Sequence, residues 1–227
     1  KKIVFYSDLP KDNSKLIKGV NYIDIHRGFF THAIFPHFHS KYKVDLEESD
    51  GVFYSMDDNL ININVLNRQN NKKILYSKYL HKFSSIEDIG NFWHWVNPWG
   101  KPALKNLIED TIFKKYSITS WISGWSDWFY IPKKFLTNEL FEAFKAFAKH
   151  KVFLEISIPT ILGNFIKEPE SYSKVNYEYC WNPDSQRQIQ AINFLDQNNL
   201  CIHPFKFSDE CNRNLILNFF KNIPDDS

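Results

Sequence analysis

Glycine, cysteine and methionine are scarce in this chain. Its 227 residues include only 7 glycines, 3 cysteines and 1 methionine. With so few glycines and 43% hydrophobic residues, the composition is that of a globular protein and excludes a disordered one. The length is enough for one sizeable domain or two small ones. Because no linker or internal repeat divides the chain, we expect a single domain over residues 1–227.

The few cysteines limit both the chemistry and the compartment. Cys180, Cys201 and Cys211 do not have the spacing of a zinc site. They are expected to be free thiols, or to form at most one disulfide, which favours the cytoplasm over the secretory lumen.

Long apolar runs and a strong net charge are also missing. No run approaches the roughly 20 apolar residues of a membrane-spanning helix, and no signal peptide is visible. The net charge of +2 gives no reason to expect a nucleic-acid partner. Since the sequence begins Lys1-Lys2 and not with Met, we expect it to be an excerpt of a longer chain.

Aromatic residues, in contrast, make up 17% of the chain. Six of the seven tryptophans fall in residues 92–102 and 121–132, which are rich in Gly, Pro, Ser and Asn. Tryptophans either fill a core or offer flat faces on which a sugar or a base can stack. Because these segments lack helical periodicity, the second role is expected for some of them. The residues expected to line a cleft for a sugar are Trp93, His94, Trp95, Trp125 and Trp128.

Two adjacent carboxylates follow a short strand-like run. Val52, Phe53 and Tyr54 have β-branched or aromatic side chains, which favour a strand, and Asp57 and Asp58 come directly after it. In open α/β sheets, ligands bind beyond the carboxyl ends of strands. Mg²⁺ or Mn²⁺ carrying a substrate diphosphate would relieve the repulsion between the two carboxylates. The alternative is a solvated turn, because Asp and Asn favour turns.

Strand and helix patterns alternate along the chain and predict an α/β fold with a mixed, mostly parallel sheet flanked by helices. Thr137 is expected to cap a helix that runs to about His150, and Pro36 to end or kink the helix at residues 26–39. Further helices are predicted at residues 104–116, 160–165, 186–197 and 212–221. Strands or extended segments are predicted at residues 2–6, 20–25, 52–54, 60–66, 74–76, 152–158 and 201–207.

Glu155 stands alone in the apolar run at residues 152–158. A carboxylate there is costly to desolvate unless it is paired or lies in a wet cleft. Burial would raise its pKa, which suits a general base. The alternative is a structural ion pair with a lysine or arginine.

A further candidate segment carries His203 and Lys206. His203 can supply a nitrogen ligand to a metal, and Lys206 can neutralise a phosphate. The alternative is a partly exposed histidine beside a surface lysine.

Five segments, taken in order, carry a resemblance to a known family. They are residues 26–29, 50–58, 126–132, 153–160 and 203–208. Together they resemble nucleotide-sugar glycosyltransferases of the GT-A fold. More narrowly, they resemble glycosyltransferase-like proteins of algae, large DNA viruses and other eukaryotes. Met56 occupies the first position of the Asp-any-Asp triplet usual in such enzymes.

The resemblance implies a GT-A-like, Rossmann-like fold and a metal-dependent activity. A sugar would move from a nucleoside-diphosphate sugar, expected to be a UDP-sugar, to a hydroxyl of a glycan or glycoprotein. Asp57, Asp58 and His203 would hold Mn²⁺ or Mg²⁺, and Lys206 would contact a donor phosphate. Such enzymes place a nucleotide-binding strand before the acidic motif. In this chain, either residues 3–8 are that strand and would bring Tyr6 and Asp8 to the donor, or part of the nucleotide site lies outside the excerpt.

An inverting transfer also needs a base for the acceptor hydroxyl. Glu155 is the first candidate and Asp127 the second. Two other functions remain open: a non-catalytic carbohydrate-binding module and a metal-dependent phosphohydrolase built on Asp57 or Asp58 with His203. The strand followed by carboxylates favours either enzyme over the module, and the tryptophan-rich segments favour a sugar substrate.

Overall fold

The structure is a computed structural model. It describes residues 2–10, 16–26, 28–76, 80–88, 99–116, 118–173, 175, 177–179, 199–205, 210, 212–214 and 217. The helix predicted at residues 186–197 lies outside the described residues, as does most of the one at 212–221. The candidate site residues that lie outside them are Trp93, His94, Trp95 and Lys206.

Helices and strands are interspersed along the described parts of the chain. The helices are α1 (Ile34–Lys41), α2 (Lys43–Glu47), α3 (Ile63–Arg68), α4 (Lys101–Ile108), α5 (Thr111–Lys115), α6 (Asn138–Lys149) and α7 (Leu154–Phe165). The strands are β1 (Phe5–Ser7), β2 (Val20–Tyr22), β3 (Gly51–Ser55), β4 (Leu60–Ile61), β5 (Ile74–Leu75), β6 (Leu80–Phe83), β7 (Trp121–Gly124), β8 (Trp128–Pro132), β9 (Tyr172–Ser173), β10 (Tyr177–Tyr179) and β11 (Cys201–His203). Within these described elements, no helix combines the length and the apolar character needed to cross a membrane.

The strands form four small sheets, whose orders are β1-β2, β10-β11-β4, β3-β8-β5-β9 and β6-β7. The predicted mixed α/β class is confirmed, but the prediction of a mostly parallel sheet is wrong. Of the seven described pairings, β3/β8, β5/β8, β4/β11 and β6/β7 are antiparallel. An alternation of strand and helix patterns along the chain does not show which strands pair.

Strand β8 separates two hydrophobic cores. Its successive side chains point to opposite faces, so Phe129 and Ile131 enter the main core, and Trp128 enters a smaller one. Helices α1, α6 and α7 contribute to the main core, where the Phe144 ring stacks on Phe35 at 4.6 Å between centroids. The buried members of the smaller core are Val65, Leu75, Trp128, Val175, Leu200 and Cys201.

Two helix termini bear directly on the predictions. The Thr137 side chain accepts a hydrogen bond from the Leu140 N–H, so the predicted cap of α6 is confirmed. Pro36 lies in the first turn of α1, where a missing N–H has little effect, and the helix continues to Lys41. Of the two predicted effects of Pro36, an end to the helix is therefore wrong, and a kink stays a prediction.

Helix α7 occupies most of the run that was predicted to be a strand. Nearly every residue from Leu154 to Asn164 is buried, so no polar face reveals the helical period. The alternation of Glu155 and Ser157 with β-branched residues imitates a strand instead. Pro159 lies inside the helix, where it has no N–H to donate to the Glu155 carbonyl.

Side chains of helix α7 make hydrogen bonds to the backbone along β7 that a neighbouring strand would otherwise make. The Thr160 hydroxyl accepts from the Ile122 N–H at 3.0 Å and donates to the Ile122 carbonyl at 2.9 Å. One turn later, Asn164 accepts from the N–H of Ser120 at 3.2 Å and donates to its carbonyl at 2.7 Å. These bonds set the position of the helix along the strand.

We predict that Thr160→Val destabilises the fold although it nearly preserves side-chain shape. The valine leaves the N–H and the carbonyl of Ile122 unsatisfied in a buried site, at about 1–3 kcal/mol for each group. Denaturant unfolding of the parent and the variant measures this loss.

Thr119→Val is the matched control, because Thr119 is exposed. Its effect should stay within about 0.5 kcal/mol, as for most surface substitutions. An equal stability change in both variants would show that the Thr160 hydroxyl does not anchor α7.

Candidate active site

The antiparallel pairing of β3 with β8 places Asp127 beside the acidic motif. Ser55, at the end of β3, lies opposite Trp128, at the start of β8. The chain therefore leaves β3 where Asp127 enters β8, and the Met56 N–H donates to the Asp127 carbonyl at 2.8 Å.

The pairing of β4 with β11 brings His203 to the same place. Leu60 lies opposite Ile202, so the residue before β4, Asn59, comes next to His203 at the end of β11. The short segment that contains Asp58 thus lies between two antiparallel pairings. The β3/β8 pairing brings Asp127 to it, and the β4/β11 pairing brings His203.

His203 lies between two carboxylates. Its Nδ1 is 3.4 Å from Asp58 Oδ1, and its Nε2 is 3.5 Å from Asp127 Oδ1. The His203 side chain is 6% exposed, Asp127 14% and Asp58 25%, so the cluster opens towards solvent on the Asp58 side. Asp57, the other carboxylate of the predicted metal-binding motif, is exposed.

The buried side chain of Asn59 joins these three segments. Its amide nitrogen donates to the Asp127 carbonyl at 2.7 Å and to Ser55 Oγ at 3.1 Å. Because a carbonyl can only accept, this orientation turns Asn59 Oδ1 towards His203 Nδ1, at 2.9 Å. His203 therefore carries a proton on Nδ1 and presents Nε2 to Asp127.

Burial raises the pKa of Asp127, the charge of His203 lowers it, and the charge of Asp58 raises it again; the net shift is upward. Asp127 is thus a carboxylate whose ionisation depends on its neighbours. This is the behaviour expected of a group in a functional cluster.

Glu155 brings a third carboxyl group to the site, from the first turn of α7. The residue is 7% exposed, and its Oε2 has no hydrogen-bond partner among the described residues. Burial, and after it the charge of Asp127, raise the pKa of Glu155 well above 4.5. The expected pKa rise is therefore present, and within the described residues no lysine or arginine pairs with Glu155.

Tyr76 and Ser126 line the same region and were not predicted as site residues. The Tyr76 hydroxyl and Ser126 Oγ are 2.6 Å apart, and Ser126 Oγ donates to the Gly124 carbonyl at 3.1 Å. Burial raises the pKa of Tyr76, the bond with Ser126 lowers it, and the charges of Glu155 and Asp127 raise it further. The sequence contains no signal for this contact, since Tyr76 follows β5 far from Ser126.

The tryptophans predicted for the cleft differ in their exposure. Trp128 is 2% exposed and packs in the smaller core, so its assignment to the cleft is wrong. Its ring lies on the face of β8 that packs in the smaller core, opposite to the face that carries Phe129 and Ile131. Trp125 is half-buried in the short connection between β7 and β8, and its assignment stays a prediction.

Tyr6 and Asp8, predicted to bind the donor, make local contacts near the N-terminus. The Tyr6 hydroxyl lies 3.0 Å from His37 Nδ1. Asp8 Oδ1 accepts from the N–H groups of Leu9 and Ile25, each at 3.1 Å. Asp8 thus holds the chain just before His26, and donor binding by these two residues stays a prediction.

The fit of a divalent ion depends on Asp127 Oδ1 and His203 Nε2. Two donors of one ion, each at about 2.1 Å, lie roughly 3.0–3.5 Å apart, as these two atoms do. Among the described residues, no group of three or more His, Cys, Asp and Glu side chains is arranged to hold an ion. Mg²⁺ commonly takes one or two carboxylates together with waters and substrate phosphates. Asp127 and His203 therefore supply two protein donors and would leave the other coordination positions of an ion to water or other ligands.

Comparison of the chain with protein-family models, with curated proteins and with solved structures found no match.

We predict that Asn59→Asp lowers the free energy of unfolding by about 1–3 kcal/mol or more. The new oxygen faces the Asp127 carbonyl and the two amide hydrogen bonds are lost. Denaturant unfolding measures the stability, and ¹⁵N NMR of the histidines reports whether His203 keeps its Nδ1 proton.

Asn70→Asp is the matched control. Within the described residues, the Asn70 side chain is used only through Oδ1, which accepts from the Lys72 N–H at 2.9 Å, and an aspartate keeps that oxygen. Similar stability losses in the two variants would contradict a special role for the Asn59 amide.

We also predict that Glu155→Gln changes how stability depends on pH. Because the folded pKa of Glu155 lies above 4.5, the folded state holds the proton more tightly than the unfolded chain. Its contribution to stability is therefore fully present below about pH 4.5 and declines as pH rises towards the folded pKa. The parent should lose more stability than Glu155→Gln between about pH 5 and about pH 8.

Unfolding curves at both pH values test this, with exposed Glu48→Gln as the control. Parallel pH profiles for the parent and Glu155→Gln would show that the carboxyl group is not held in its neutral form by the fold.

Proposed function

We propose that this protein is a glycosyltransferase that moves a sugar from a nucleoside-diphosphate sugar to a hydroxyl group of a glycan or glycoprotein. A UDP-sugar is the first donor to test. The observation that carries the proposal is the convergence of Asp58, Asp127 and His203, with the buried carboxyl group of Glu155 beside them.

Glycosyl transfer requires two separate catalytic functions from the protein. One group of side chains must hold the charged leaving diphosphate, and another must accept the proton of the incoming hydroxyl. The cluster of Asp58, Asp127 and His203 is partly exposed, whereas Glu155 is buried and has a raised pKa. Carboxyl groups in such different environments can take different roles.

Under this proposal, Asp127 and His203 would hold the metal together with the donor diphosphate, Asp58 adds negative charge beside them, and Asn59 keeps His203 oriented by fixing its Nδ1 proton. A bound Mn²⁺ or Mg²⁺ would supply positive charge to the leaving diphosphate. Glu155, in its ionised form, accepts the proton of the acceptor hydroxyl. Its raised pKa makes it a stronger base than an ordinary glutamate, although less of it is ionised at a given pH.

The GT-A-like fold is part of the same proposal. The acidic motif after β3 and the parallel pairing of β1 with β2 support it. The antiparallel pairing of β3 with β8 is a departure from a parallel open sheet. Asp127 is the alternative base, because it lies beside the acidic motif; it would then accept the proton instead of holding the metal.

We predict that UDP-sugars stabilise the parent protein against heat only when Mn²⁺ or Mg²⁺ is present. Asp58→Asn should lose this stabilisation, because it removes a negative charge next to His203. Glu155→Gln should keep donor binding but lower the transfer rate by about 10²–10⁴-fold, the usual contribution of general-base catalysis. Thermal shift, calorimetry and product detection measure these quantities.

Asp50→Asn is the control for charge, since Asp50 is exposed at the opposite end of β3. It should retain both binding and transfer. The proposal fails if no nucleoside-diphosphate sugar binds the parent in the presence of either ion. If Glu155→Gln transfers sugar within a few-fold of the parent, Glu155 is not the base and Asp127 is tested next.

A further inference from the structure

Four aromatic rings gather beside the candidate active site, and we call His26, Phe29, Phe30 and Trp99 the aromatic cradle. The His26 ring centroid lies 5.4 Å from Trp99, 5.9 Å from Phe29 and 5.6 Å from Phe30. Phe30 is buried, Phe29 and Trp99 are half-buried, and His26 is exposed. The rings therefore form a surface with a covered floor and an open rim.

The backbone of this loop is held in an uncommon conformation. His26 has a φ of 47° and Gly28 a φ of 93°, both in the left-handed region. A non-glycine residue there is uncommon, and its strain persists only where surrounding structure fixes it. Asp8 provides part of that support, since its Oδ1 accepts from the Ile25 N–H at 3.1 Å.

The loop touches the segments on both sides of the candidate site. A Cβ atom on Gly28 would lie 2.9 Å from Met56 Cε, so the loop backbone packs closely against the residue that precedes Asp57. The Phe29 carbonyl accepts from the Leu154 N–H at 3.0 Å, next to Glu155. The cradle is thus fixed between the acidic motif and the first turn of α7.

We propose that the aromatic cradle binds a pyranose ring of the acceptor glycan, which would place an acceptor hydroxyl near Glu155. The inference rests on the proposed glycosyl transfer for the identity of the substrate. Aromatic faces attract polarised C–H groups of a sugar, because the face of the ring carries negative charge. The His26 ring nitrogens can, in addition, donate to or accept from a sugar hydroxyl.

Ring orientation favours a sugar over a nucleobase. The His26 ring is inclined by 65° to Trp99, and the Phe29 ring by 44° to Trp99. A planar base is held best in a slot between parallel faces, and these inclined faces do not form one. A puckered sugar ring presents C–H groups in several directions and can contact more than one inclined face.

The test uses an array of neutral glycans, probed with the intact chain in the absence of nucleotide and metal. We expect the parent to bind at least one pyranose-containing glycan. His26→Asn should weaken that binding roughly tenfold, the effect expected for one aromatic contact. Asparagine tolerates the left-handed backbone and keeps hydrogen-bonding capacity, so this variant removes the ring and little else.

Two further variants separate ring stacking from other effects. Trp99→Phe keeps an aromatic face and should lose less binding than Trp99→Leu, which keeps only apolar bulk. Phe5→Asn removes another exposed ring, 62% exposed on β1, and should leave glycan binding unchanged. Circular dichroism and thermal unfolding confirm that each variant is folded.

Each outcome separates this inference from the proposed function. Glycan binding that depends on His26, without binding of any nucleoside-diphosphate sugar in the presence of Mn²⁺ or Mg²⁺, would support the cradle and overturn glycosyl transfer. The reverse pattern, with donor binding and no glycan recognised by the parent, would overturn the cradle alone. The cradle would also be overturned if His26→Asn weakened UDP binding and left glycan binding unchanged, since the rings would then hold the base.

Discussion

The side-chain amide of Asn59 connects three segments of the chain through hydrogen bonds to the Asp127 carbonyl, to Ser55 and to His203. Asn59 and His203 are buried, so a lost hydrogen bond there would not be replaced readily by water. An aspartate would repel the Asp127 carbonyl, and an apolar side chain would remove all three hydrogen bonds. The spacing between Asp127 and His203 therefore depends on a residue that takes no part in the proposed chemistry itself.

The side chains of the candidate site were more predictable from sequence than the pairings that unite them. Asp58 and Glu155 attract notice because each puts a charge beside or inside an apolar run, where desolvation is costly. The contact between β4 and β11, which brings His203 to Asp58, joins distant parts of the chain and leaves no local pattern. Asn59 could not be identified for a related reason: its role depends on the groups that face it, and its residue type alone suggests only a turn.

Helix α7 shows how burial can hide secondary structure. Local pattern reasoning relies on a polar face to reveal the helical period, and a helix buried almost all round lacks such a face. Ser157 illustrates the outcome, because its hydroxyl donates to the Val152 carbonyl at 3.0 Å inside the core. On a strand it would have shared one face with Glu155. Tertiary packing determines that this segment is a helix and outweighs the strand preference of its β-branched residues.

Helix α7 contains both the side chains that attach it to β7 and a carboxyl group, Glu155, whose burial is unfavourable. Thr160 and Asn164 fix α7 against β7, and the chain leaves β7 directly towards Ser126 and Asp127. The position of Glu155 relative to Asp127 is therefore set by hydrogen bonds more than one turn away. Burial of the helix excludes water from Glu155 and so raises its pKa. The stabilising contacts at one end of α7 thus allow an unfavourable carboxyl environment at the other, and that environment is what makes Glu155 a stronger base.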